Sequence, residues 1–157
     1  MAAAVLIVGR VPGVNRPALA GVLPSTDLRT LMLDIGANTE CNSLNLLQFA
    51  IMGSLYMEAV HGIKCPSIGL LNVGEEDVKG NQLARDAHEL LKASQLNFRG
   101  NVEGVDLLRG IVDVAVCDGF TGNVAIKAME GTGDFAFGML QAASRVSTRN
   151  KLGALLM

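Results

Sequence analysis

Cysteine and histidine are scarce in this sequence, at three and two residues among 157. Cys41, Cys65 and Cys117 stand at unrelated spacings and form no CxxC pair. That pattern argues against a disulfide framework or a zinc site and fits a reducing cytosol. A basic surplus is also missing. The formal net charge is -2, which argues against a general nucleic-acid binder, since nothing is left over to neutralise phosphates. No apolar run approaches the roughly 18 residues that a membrane-spanning helix needs. The apolar start, MAAAVLIV, lacks a basic flank and a clear cleavage site, so it does not read as a signal peptide. Neither GxxxxGK[ST] nor GxGxxG occurs, which leaves a nucleotide loop and a nicotinamide dehydrogenase without support. Low-complexity segments and long charged tails are absent too.

What the chain does have is enough apolar content for a core. Half of its residues are hydrophobic and 18% are charged, over one ordinary domain's length. Its 18 glycines mostly follow apolar runs. Four segments share that plan: LMLDIGAN (31–38), IGLLNVGEE (68–76), LNFRGN (96–101) and VAVCDGFTGN (114–123). Each begins apolar and ends in Gly with Asn, Asp or Glu. Short continuous apolar runs suit strands buried on both faces, as in a parallel sheet. Helical patterns lie between them. In 44–60, Leu44, Leu47, Ile51, Met52 and Leu55 fall at helical spacing, with Asn42 or Ser43 as the cap. In 80–93, Leu83, Ala87, Leu90 and Leu91 share a face. Residues 121–143 form a long apolar helix weakened by Gly131, Gly133 and Gly138. Residues 9–30 hold three of the four prolines and read as a loop. Strands alternating with helices give an α/β sandwich.

Ligands of open α/β sheets bind beyond the carboxyl ends of the strands, and here those ends carry the polar residues. Any one corner is equally explained as a turn; four alike favour a shared site. Corner 113–127 is the most specific. Gly119 and Gly122 let backbone pass close to a ligand, and the following helix aims N–H groups and its dipole at the corner. Asn123 and Lys127 share a helical face. Lys127 either adds charge to an anion site or is a solvated helix lysine. Asp118 either orients a donor or caps the helix. In corner 72–81, Glu75, Glu76 and Asp77 surround Lys79 and either aim it by ion pairing or form an acidic turn. Asn101 and Glu103 mark a third corner, and Asn38, Thr39 and Glu40 a fourth. Asp34 and Glu40 are not joined by a second carboxylate cluster at ligand spacing, so no metal is expected. Cys117 reads as core, and His61 and His88 as surface or packing residues away from the corners.

LDIGANTEC, QFAIMGS, GIKCPSIGLLNVGEED with KGN, NFRGNVEG, and CDGFTGN followed by EG, in that order, resemble the fatty acid/phospholipid synthesis phosphate acyltransferase family. The stretch AAAVLIVGRVPGVNRPALAGVLP resembles the helix and RPALA loop of that family, which replaces a strand reading of Val5–Val8. The resemblance covers nearly all of the chain. It implies a three-layer α/β/α sandwich with a mostly parallel sheet, related to phosphotransacetylases and isopropylmalate dehydrogenase, and incomplete here. Family members are longer at both ends, so 1–157 reads as a single partial domain from the middle of the enzyme.

The implied activity is transfer of a fatty acyl group from acyl carrier protein to inorganic phosphate, giving acyl phosphate, with no cofactor. By motif, Lys79 and Asn123 are the catalytic pair. Asn38, Glu75, Asn101, Glu103, Asp118, Thr121 and Lys127 line the substrate. The implied partners are acyl carrier protein, phosphate, a second copy of the chain, and a membrane glycerol-phosphate acyltransferase. The implied location is cytoplasmic, attached peripherally to the inner face of the membrane. The helix after Glu130 and the tail STRNKLGALLM, with Leu152, Leu155, Leu156 and Met157 beside Arg149 and Lys151, either form an apolar membrane tip or pack as a dimer or core helix. The alternatives are a phosphate acetyltransferase using acyl-coenzyme A, and an inactive fragment serving as a dimerisation or interaction module.

Overall fold

The computed structural model describes residues 11–24 and 30–145. The expectations for the first ten residues and for the tail from Val146 lie outside the described residues. Among the described residues five strands run β1 (Ala20–Leu23), β2 (Thr30–Leu33), β3 (Ile68–Leu71), β4 (Phe98–Val102) and β5 (Val114–Val116), and the helices are α1 (Ser43–His61), α2 (Gln82–Lys92) and α3 (Gly119–Arg145). The chain divides into two compact units, Met1–Asn123 and Val124–Met157.

In the first unit the strands form one sheet in the order β1-β2-β5-β3-β4. β1 runs antiparallel to β2, and the other pairs are parallel. The fold is therefore α/β with a mostly parallel sheet, as the alternation of patterns requires. Burial on both faces holds for the central strands: Leu31, Leu33, Val114, Val116, Ile68 and Leu70 face one helical layer, while Met32 and Ala115, paired across β2 and β5, are 0% exposed on the other face. It fails for β4, where Arg99 is exposed, because an edge strand has a neighbour on one side only.

The proline-rich stretch expected to be a loop contains β1. An antiparallel edge strand is compatible with prolines just outside it, and Pro17 and Pro24 flank Ala20–Leu23. Asn42 rather than Ser43 caps α1. Its side chain accepts from Asn45 N at 2.9 Å, and Asn45 Oδ1 accepts from Asn42 N at 3.0 Å. The face of α1 that meets the sheet is only partly the expected one: Leu47 and Met52 pack against the core at its borders. Leu46, Phe49, Ala50, Gly53 and Met57 are buried, whereas Leu44, Ile51 and Leu55 are exposed on the opposite side. The helix is apolar all round, so periodicity alone does not pick a face. Gly53 does: a Cβ there would stand 2.5 Å from Val114 Cγ1 and 3.0 Å from Leu33 Cδ1. On α2, Ala87 and Leu91 are buried as expected and Leu90 is exposed.

In the second unit, residues 124–145 continue as helix through all three glycines. Thr132 Oγ1 donates to Ala128 O at 2.8 Å. Phe135, Phe137, Met139 and Leu140 are exposed. Among the described residues no helix is long and apolar enough to cross a membrane.

Candidate functional site

Because β2, β5, β3 and β4 are parallel, their carboxyl ends lie along one edge of the sheet. The four polar corners are therefore neighbours, in the order 34–42, 117–123, 72–81, 103–106. Asp34 organises the first. It is 0% exposed. Its Oδ1 accepts from the N–H groups of Leu19 (3.1 Å), Gly36 (3.1 Å) and Ala37 (2.9 Å). Its Oδ2 accepts from Asn38 N (2.8 Å) and Asn38 Nδ2 (2.7 Å). Five N–H donors are what a buried carboxylate needs in place of water. Asn38 Nδ2 also donates to Pro17 O at 2.8 Å, so this side chain ties the corner to the 11–19 segment. Arg16 Nη1 donates to Glu40 O at 2.9 Å in the same region. Asn15, Arg16, Glu40, Cys41, Asn42 and Asn45 line an open polar hollow of about 410 Å³.

The second corner packs directly on the first. Gly119 N donates to Asn38 O at 2.7 Å. A Cβ at Gly119 would lie 2.7 Å from Asn38 O, and one at Gly122 would lie 1.9 Å from Asp34 O. These glycines were expected to admit a ligand to the backbone; they admit the other corner instead, because two carbonyl groups already fill the space. Asp118 is the helix cap: Oδ1 accepts from Thr121 N at 2.9 Å and Oδ2 from Thr121 Oγ1 at 2.7 Å. Asn123 is exposed at the start of α3, and Gly36 stands against it, with a Cβ position 3.5 Å from Asn123 Cβ.

Around β3, Asn72 Nδ2 donates to Lys79 O at 3.1 Å and Asn72 Oδ1 accepts from Val73 N at 2.8 Å. Lys79 N donates to Glu76 O at 3.0 Å, and Lys79 Nζ lies 3.9 Å from Glu76 Oε1. Lys79 remains half exposed, and Glu75 is exposed. Asn101 is buried and donates through Nδ2 to Glu76 O at 2.8 Å. Glu103 N donates to Asp106 Oδ2 at 3.0 Å. Lys127 lies in the second unit, where Nζ donates to Glu130 Oε2 at 2.7 Å and that carboxylate raises the lysine above its ordinary value.

Neither thiol here is a nucleophile in waiting. Burial pushes the Cys117 thiol far up, with Asp118 and Asp34 adding to it, and its Sγ lies 3.5 Å from Asp34 O. Burial also raises Cys41. His88 was expected to lie away from the corners. It is buried, 3.1 Å from Asn101 Oδ1 and 3.4 Å from Asp77 Oδ1. Asp34, Arg16 and His88 are what sequence reasoning missed. A lone acid ending an apolar strand before a Gly–Ala–Asn turn is the signal for Asp34; no local signal marks the other two. Among the described residues no group of three or more His, Cys, Asp or Glu is placed to hold a metal.

A mostly parallel sheet with helices between its strands and polar corners on its carboxyl edge defines an α/β protein. A fold of this kind occurs in the EutD phosphotransacetylase of Staphylococcus aureus, which superposes with a TM-score of 0.63 over 83% of this chain and 46% of its own, at 18% identity. The family model for fatty acid synthesis proteins matches residues 1–157, and the chain belongs to that family. It is 51% identical over its whole length to a phosphate acyltransferase of Oceanobacillus iheyensis and 50% identical to one of Bacillus thuringiensis. It spans 48% of each of those relatives.

Proposed function

We propose that the chain carries the phosphate-handling half of an acyl transfer from acyl carrier protein to inorganic phosphate. The observation that supports this most is family membership over every residue, together with two exposed polar groups, Lys79 and Asn123, on the corners of adjacent strands β3 and β5. The chemistry suits what these corners offer. Phosphate is already a nucleophile, so no Ser–His pair is required. Its oxygen attacks the thioester carbon, a tetrahedral oxyanion forms, and the C–S bond breaks to release a thiolate. A thiol of ordinary pKa, about 8.5, leaves with little acid assistance. The protein holds the reactants in line and stabilises the oxyanion. In this reading Lys79 holds phosphate or the oxyanion, and Asn123 donates to the thioester carbonyl. Glu75, Glu103 and Thr121 border the same edge. Asn38, Asn101 and Asp118 build its walls through the bonds described above, and Lys127 is proposed as a further substrate-binding residue from its motif alone.

The proposed partners are acyl carrier protein, a second copy of the chain, and a membrane glycerol-phosphate acyltransferase reached from the inner membrane surface. The exposed Phe135, Phe137, Met139 and Leu140 are compatible with such a surface. A second reading is transfer from acyl-coenzyme A, favoured by the shared fold with a phosphotransacetylase.

Long-chain acyl carrier protein, phosphate and the purified chain, with hydroxylamine to trap acyl phosphate, test both. Phosphate-dependent product is expected with the carrier-protein thioester in preference to the coenzyme A thioester. Lys79→Ala and Asn123→Ala should each reduce turnover by about tenfold or more, the loss of one transition-state contact, while leaving the circular dichroism spectrum unchanged. Near-normal turnover in both variants would overturn the residue roles. Folded protein without turnover would favour a binding or assembly role for this half.

A further inference from the structure

His88 takes no part in the chemistry above, yet it is 2% exposed on the sheet-facing side of α2. Its ring is held from three directions. Phe98 of β4 meets it edge to face, with centroids 5.1 Å apart at 76°. Nδ1 lies 3.1 Å from Asn101 Oδ1. Asn101 Nδ2 donates to a backbone carbonyl, Glu76 O, at 2.8 Å, which fixes the orientation of the amide. Oδ1 therefore faces the ring, and Nδ1 carries the proton that it accepts. Nε2 lies 3.4 Å from Asp77 Oδ1, and the other oxygen of that carboxylate accepts from Lys92 Nζ at 2.7 Å.

Both polar contacts of the ring lead to one place. Glu76 O, held by Asn101, also accepts from Lys79 N at 3.0 Å. Asp77 is the next residue in the same turn. A phenylalanine would fill this space on α2 without bonding Asn101, so packing alone does not account for an imidazole here. We propose that His88 is a positioning residue for Lys79, acting through Asn101 to set the 72–81 turn. This rests on the reading that places Lys79 at the reacting centre.

The test compares the 157-residue chain with His88→Phe, which keeps a ring and removes the bond to Asn101, and His88→Gln, which keeps a donor directed at Asn101. Two readouts are taken: amide hydrogen exchange along the chain, and the phosphate dependence of acyl phosphate formation. In His88→Phe, exchange at the Lys79 amide and its neighbours in the turn should quicken by about tenfold or more, while the sheet amides stay protected. The KM for phosphate should rise more than kcat falls. His88→Gln should recover much of both. Unchanged turn exchange in His88→Phe, or a loss spread evenly over the whole chain, would overturn the proposal. If His88→Phe does not fold, Asn101→Asp, which keeps the acceptor facing His88 and removes the donor to Glu76 O, replaces it, and unaltered turn exchange there overturns the proposal equally. Absence of acyl transfer by the parent chain would count against the functional reading alone, because exchange still decides whether His88 sets the turn.

Discussion

At the scale of single residues, Asp34 fixes more of the site than either proposed catalytic group. Asp34→Asn keeps the shape but replaces one acceptor oxygen by an NH2 group, which leaves two or three of the five donors facing another donor. The expected cost is about 2–4 kcal/mol, the usual scale for a broken buried polar network, and urea unfolding measures it. Gly122→Ala should do at least as much harm. Its Cβ would stand 1.9 Å from a backbone oxygen that cannot swing away, so a loss of about 3 kcal/mol or more is expected in the same assay. Lys79 and Asn123 were proposed from motif order, and the turnover of their alanine variants decides them. Asp118 was legible as one of two alternatives, and its two bonds to Thr121 are those of a cap. Arg16 and His88 were not legible, because their partners lie 24 and 13 residues away in sequence and no local pattern encodes them.

At the scale of elements, strand positions were the clearest message. Four apolar runs ending in glycine became four parallel strands, and the three central ones, covered on both faces, have no polar alternation to blur them. Helix faces were less clear. Counting apolar residues in α1 selected Leu44, Leu47, Ile51, Met52 and Leu55, yet the sheet takes Phe49 and its neighbours, and only Leu47 and Met52 of that set touch the core. A pair of variants separates the two faces by thermal or urea denaturation. Phe49→Ala should destabilise by about 3–5 kcal/mol, while Leu55→Lys, at 59% exposure, should change stability by less than about 0.5 kcal/mol. The turn after β3 and the end of α2 are joined by Asp77 and Lys92. The Lys92 ammonium, and after it His88, hold the Asp77 carboxyl below its ordinary 3.8, and Asp77 holds Lys92 above 10.5. A depressed acid stabilises above its unfolded value and is lost as pH falls through its folded one. A raised base stabilises below its unfolded value and is lost as pH rises through its folded one. The link is thus expected to be complete between those limits and to loosen at either extreme. Amide shifts of residues 73–79 followed against pH should show the acid step, and Asp77→Asn should abolish it.

At the scale of the whole molecule, the site belongs to the sheet more than to any segment. Its four corners come from stretches up to nearly ninety residues apart, and only parallel pairing lines them up. The alternation of patterns predicted a mostly parallel sheet, but strand order was not legible. Nothing local in VAV (114–116) says that it lies between β2 and β3. That placement is enforced by long-range bonds: Thr30 Oγ1 to Val112 O at 2.9 Å, and Ser67 Oγ to Asp113 Oδ2 at 2.6 Å. If Asp113 has this role, Asp113→Ala should weaken both the β3–β5 seam and the corners above it, by about 1–3 kcal/mol in urea unfolding.

The central place of β5 also has a consequence in time. Among the described strands it is the last to be synthesised, yet it is the strand on which β2 and β3 both pair. As the chain leaves the ribosome, β1 with β2 and β3 with β4 are two separate ribbons. Each has an apolar edge waiting for the same insertion. The nascent chain is then most vulnerable to association with its neighbours in the interval between Val102 and Val114, and a chaperone that shields strand edges would matter most there.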